Sequence, residues 1–168
     1  MMTQFSFSYK LSGCGWADAS VSSGGSALTM TVSYLSDALG DLARAVISLL
    51  SEHAVGKVIC SWQDEPGEYR WMMLREGDAV RVQIVMFDDC FSRKDCAKGR
   101  RLIRWECSLL RLATQVKGQM HQLLNDLGED GYKERWVNHD FPMQEFMRLS
   151  ELIQEHKQRL PDNGQQDG

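Results

Sequence analysis

Three carboxylates stand close together in SWQDEPGEYRW, residues 61–71: Asp64, Glu65 and Glu68, with Tyr69 beside them and Trp62 and Trp71 on either side. Crowded carboxylates can have their protonation equilibria pushed apart, so that one serves as general acid and the other as base. That is the chemistry of a carboxylate-dependent hydrolase using Glu65 and Glu68. The same residues also read as a hairpin turn, in which Pro66 fixes φ at the first corner of a type II turn and Gly67 takes the left-handed second corner. Such a turn leaves its acids in solvent. Asp64, Glu65, Glu68 and Tyr69, with Asp88 and Asp89 further along, then form an acidic surface suited to a basic protein partner.

A second charged run, RKDCAKGRRLIR at 93–104, sets Arg93, Lys94, Lys98, Arg100, Arg101 and Arg104 against one acid, Asp95. It is the candidate nucleic-acid-binding segment, since each neutralised phosphate releases counterions. It lacks the interleaved aromatics on which single-strand binders stack bases, with Phe91 and Trp105 only at its margins. A solvated loop leading into a strand is the commoner explanation. Metal ligation is not expected: Asp88, Asp89, Cys90, Asp95 and Cys96 have no histidine nearby, whereas structural zinc needs four converging ligands. His53, His121, His139 and His156 are scattered, and none pairs with Asp or Ser at a spacing that identifies a catalytic triad. No cofactor motif is present and no cofactor is expected.

The elements that must position these residues are legible from periodicity. In QFSFSYKL, Phe5, Phe7, Tyr9 and Leu11 alternate with polar residues, the pattern of a strand with one wet face. WADASV and the segment around Leu28, Met30 and Val32 continue it, with Gly24 and Gly25 at the turn between them. From residue 35 the step changes to three and four through Leu35, Leu39, Leu42, Val46 and Leu49, which predicts an amphipathic helix capped by Ser33 or Ser36, with Asp37 in its first turn. Gly40 inside that helix costs about 1 kcal/mol relative to Ala, which points to a close packing contact. Strand patterns return at 57–62, in YRWMML, in VRVQIVMF and in RLIRWEC. Ser108 then caps a helix that Gly128 stops. GEDGYKERWVNHDF is a connector with room for one short helical turn, and Pro142 opens a final helix.

The predicted order is βββαββββαα, an α+β fold: a mainly antiparallel sheet of about seven strands with amphipathic helices packed on one face. Whether the two strand blocks make one sheet or a barrel-like pair is open from periodicity alone. Residues 1–160 are expected to form one domain and 161–168 a disordered tail. A chain of 168 residues with 43% hydrophobic and 25% charged residues is of a size that buries roughly 70% of its unfolded surface. Five cysteines without paired spacing predict reduced thiols in a cytoplasmic protein. The N-terminus has no secretory pattern, and no apolar run is long enough to span a membrane. The net charge of −4 disfavours broad nonspecific affinity for nucleic acid.

GCGWADASV, VSYLSDALGDLARAV, DEPGEYRW and GYKERWVNHDFP together resemble a widespread group of small bacterial proteins with SYLSDAL and EPGEYRW signatures. The resemblance covers most of residues 5 to 150, and the group carries no established activity. Small acidic one-domain bacterial proteins are often immunity partners of secreted toxins. The expectation is therefore a non-enzymatic cytosolic binding protein of that kind, with nucleic-acid binding and carboxylate-dependent hydrolysis as the alternatives.

Overall fold

The computed structural model describes residues 4–51 and 56–160. Its elements are β1 (Phe5–Leu11), β2 (Trp16–Ser23), β3 (Ser26–Ser33), α1 (Ala38–Leu50), β4 (Lys57–Gln63), β5 (Glu68–Glu76), β6 (Ala79–Phe87), β7 (Arg100–Ser108), α2 (Leu109–Trp136) and α3 (Met143–Arg159). This is the predicted βββαββββαα order. The expected tail at 161–168 and His53 lie outside the described residues. The strands form two antiparallel sheets, β1-β2-β3 and β4-β5-β6-β7, instead of one. Each strand pairs only with its neighbours in sequence, and α1 separates the two blocks along the chain.

The period-two alternation gives every strand one apolar side, and the apolar sides of both sheets share a core with the three helices. Phe5 stacks on Trp105 with ring centroids 5.2 Å apart, Phe7 meets Trp71 edge-on at 6.1 Å, and Trp62 and Trp71 lie 4.9 Å from each other. Trp62 and Trp71 are fully buried packing residues, as their place beside the hairpin suggested. Truncating such an aromatic costs roughly 3–5 kcal/mol.

An edge strand leaves a row of unpaired backbone groups, and β1 is covered by α2 instead of by another strand. Gln115 Oε1 accepts from Phe7 N–H at 3.1 Å and Gln119 Oε1 from Tyr9 N–H at 3.0 Å, while Arg111 Nε donates to the Phe5 carbonyl at 2.8 Å. Residues 111, 115 and 119 recur every four positions, so one helix face supplies the whole row of partners.

The helix boundaries depart from expectation for local reasons. Asp37, not Ser33 or Ser36, is the N-cap of α1, and Leu35 precedes the helix and is exposed. The Asp37 carboxylate makes no capping bond; it reaches Arg44 at 2.8 Å. The closely packed Gly40 is explained by that path, because a Cβ there would run into the Asp37 carboxylate. Gly128, with φ 66 and ψ 178, breaks the helix at the expected stop, so that α2 is two helical stretches joined across a kink. The chain resumes helix through Trp136 because Tyr132 and Trp136, four residues apart, both bury fully on one face.

Candidate protein-binding site

The register of the second sheet lays its outer side chains in rows. Gln63, Glu68 and Phe87 form one row, and Ser61, Arg70, Val85 and Arg101 the next. The loop between β6 and β7 folds back over these two rows and is fastened from beneath. Gln63 Oε1 accepts from Phe91 N–H at 2.8 Å, and Glu68 Oε2 accepts from Ser92 N–H at 2.6 Å. Arg70 donates from Nη2 to the Ser92 carbonyl at 2.7 Å and from Nη1 to the Lys94 carbonyl at 2.8 Å. The Cys90 thiol donates to the Gly67 carbonyl at 3.3 Å.

Glu68 and Arg70 stand two apart on one strand and so project from the same side of the sheet. Their charges meet there: Arg70 Nε and Nη2 both lie 3.0 Å from Glu68 Oε1, with the residues 2% and 8% exposed. The guanidinium also sits over the Phe87 ring at 4.3 Å. A buried guanidinium brings five donors, and here the carboxylate, the two carbonyls and the Cys96 sulfur, 3.7 Å from Nη1, are their acceptors.

The turn at 64–67 differs from the expected type II form. The Glu65–Pro66 bond is cis and Glu65, not Gly67, has positive φ, at 43°. Pro66 therefore occupies the third position of the turn, where a cis proline belongs. Asp64 N–H donates to the Gly67 carbonyl and Gly67 N–H to Asp64 Oδ1, each at 2.9 Å. Glycine is required at 67 by crowding: a Cβ there would come within 2.7 Å of the Phe87 carbonyl.

These contacts sort the predicted residues. Glu68 is buried under the loop and ion-paired, so it is corrected from a surface contact to the anchor of the loop. Tyr69 is also buried and its ring belongs to the core side, with burial first and the nearby Asp64 carboxylate second pushing the phenol up to about 12. Glu65, Asp88 and Asp89 are exposed and Asp64 is half-buried. The turn and the loop place all four at one end of the second sheet. Glu65 and Glu68 are not a converging pair of free carboxylates, because Glu68 is already engaged by Arg70 and Ser92.

Phe91 is the residue the sequence left at the margin. It is 60% exposed, at φ 50, and its backbone is fixed by Gln63. The basic segment is divided: Arg93, Lys94 and Lys98 are exposed on the loop and Arg100 at the start of β7, while Arg101 and Arg104 lie further along β7 with their side chains on the outer sheet face. Lys94 stands 3.7 Å from Asp89, both in solvent.

Cys90 and Cys96 are turned to separate partners, the Gly67 carbonyl and the Arg70 guanidinium. Among the described residues no three His, Cys, Asp or Glu side chains converge in a metal-binding group. The five thiols are free, and burial pushes those of Cys60 and Cys107 up, the latter to about 11. A separate cleft of about 690 Å3 lies where α1 begins and α2 meets α3, lined by Asp37, Arg44, Lys133, Asp140 and Glu145 among others. Its cations are already paired: Arg44 with Asp37, Asp41 and Glu145, Lys133 with Asp140.

No family model matches the chain, and no curated protein matches it. Among solved structures, a chain of the CdiA-CT/CdiI toxin and immunity complex from Enterobacter cloacae is similar, with a TM-score of 0.42 and 15% identity over 73% of this chain and 99% of that chain. A likeness at that level fixes neither fold nor function here. Among the described residues no helix is long and apolar enough to cross a membrane.

Proposed function

We propose that the protein is a binding protein whose acidic corner, formed by Asp64, Glu65, Asp88 and Asp89 around Phe91, docks on a basic protein partner. The observation that carries this reading is the pinned exposure of Phe91: a large apolar side chain held 60% in solvent by a loop anchored on the buried Glu68–Arg70 pair. An aromatic anchor already held in its binding geometry loses little conformational entropy on association. The surrounding carboxylates steer a basic surface toward it and raise the association rate more than the final affinity. Asp89 contributes least, because Lys94 partly neutralises it.

The finer reading is an immunity protein acting in the cytoplasm, covering the basic active site of a toxin nuclease. Charge complementarity between an acidic corner and a phosphate-binding site supports it. Co-expression with the product of the adjacent open reading frame tests it: the reading predicts a complex that co-elutes on size exclusion and restores growth of cells expressing that product. Neither complex nor rescue would remove the immunity role.

A further inference from the structure

Beyond the acidic corner, the outer face of the second sheet carries a surface of opposite character. Below the rows covered by the loop, Ile59, Met72, Gln83 and Arg104 form a third row, and Lys57, Leu74, Arg81 and Glu106 a fourth. Among the described residues no helix covers them. A hollow of about 240 Å3 opens between them, with Met72 and Leu74 as its apolar lining and Lys57, Arg81 and Arg104 around it. Ile59, beside it, is 49% exposed. Arg81 is paired with Glu76 at 2.9 Å and stands 3.9 Å from Glu106. Lys57 and Arg104 make no ion pair among the described residues, and both are exposed.

We propose that this face binds an acidic protein segment that places one aliphatic side chain in the hollow and carboxylates on Arg104 and Lys57. Two observations select that occupant. Cations that make no ion pair among the described residues ask for anions, and a planar guanidinium matches a carboxylate in a bidentate geometry. The floor between them is thioether and aliphatic, which accepts a leucine-sized group and gives it Met72 to pack against. Among the described residues the face has no exposed aromatic side chain, Phe91 being on the loop at the far end, so it offers no platform for stacking the bases of a single strand.

The probe is a capped pentapeptide of four glutamates around one central leucine, titrated into isotope-labelled protein at low salt while backbone amide shifts are followed. The expected result is saturable movement of the amides of Met72, Gln83 and Arg104, weakened when the peptide's leucine is replaced by serine. R104E and, separately, K57E abolish the movement, and Phe91→Ala leaves it unchanged. A decathymidine oligonucleotide does not compete. Absence of saturable shifts, or shifts that persist undiminished in both charge-reversed variants, overturns the proposal. Displacement of the peptide by the oligonucleotide also overturns it and assigns the face to nucleic acid.

Discussion

Glu68 and Arg70, two residues apart on β5, form a buried ion pair in which one carboxylate oxygen lies 3.0 Å from both Nε and Nη2 of the guanidinium. The pair holds the loop that carries Asp88, Asp89 and Phe91, so the shape of the candidate binding corner depends on it. Burying two charges is costly, and their attraction with the added carbonyl bonds offsets that cost only while both remain. Arg70→Met leaves Glu68 charged beneath the loop and is expected to lose roughly 3–5 kcal/mol in urea denaturation. Adding Glu68→Gln should recover part of that loss. A double variant less stable than Arg70→Met alone would show that the pair does not act as a unit.

Gly40→Ala tests the packing of α1 by sign. Helix propensity alone predicts a gain of about 1 kcal/mol, but the Asp37 carboxylate occupies the space a Cβ needs. The substitution should destabilise the natural chain and stabilise one already carrying Asp37→Ala. Denaturation midpoints of the four proteins in that cycle decide it; a gain in both backgrounds would contradict the packing.

The edge of β1 gives a site-resolved prediction. Gln119→Ala removes the acceptor for Tyr9 N–H and, leaving a part-buried donor unsatisfied, should cost about 1 kcal/mol. Hydrogen exchange at the Tyr9 amide should accelerate more than at Ser8, which faces β2. Equal acceleration at both would mean global loosening and not loss of one bond.

Stability should fall at alkaline pH. Burial raises the phenols of Tyr9 and Tyr132, that of Tyr69 reaches about 12, and the Cys107 thiol reaches about 11. Unfolded thiols and phenols release protons near about 8.5 and about 10, so above those values the folded state binds more protons and stability decreases with rising pH. The contribution is whole below about pH 8.5 and is lost as pH climbs through the folded values. Urea titrations from neutral to alkaline pH should show this slope, and Tyr132→Phe should make it shallower. A flat profile would contradict the burial of these groups.

Much of the fold was legible because the apolar pattern changes period where the chain changes element. Phe5, Phe7 and Tyr9 step by two, Leu39, Leu42 and Val46 by three and four, and both groups bury as those steps require. Division into two sheets was not legible, since alternation assigns a face to each strand and says nothing of which strands share hydrogen bonds. At the corner, turn composition located the acids but not their exposure. Glu68 looks like Glu65 in composition; its burial follows from Arg70 two residues on, a same-side pairing visible in the sequence once the segment is taken as a strand. The second helical stretch of α2, read as one short turn after the stop at Gly128, runs on through Trp136, and the four-residue spacing of Tyr132 and Trp136 was the signal for that length. Phe91 had none, because its exposure is set by the bond from its backbone N–H to the Gln63 side chain, 28 residues earlier in the chain.

Docking on the acidic corner around Phe91 is read out by association kinetics with the product of the adjacent reading frame. Asp64→Asn, Glu65→Gln and Asp88→Asn combined should slow association by roughly tenfold or more at low salt and much less at high salt. Phe91→Ala should chiefly speed dissociation. Rates unchanged in both variants, with the complex intact, would show that the partner docks elsewhere on the protein.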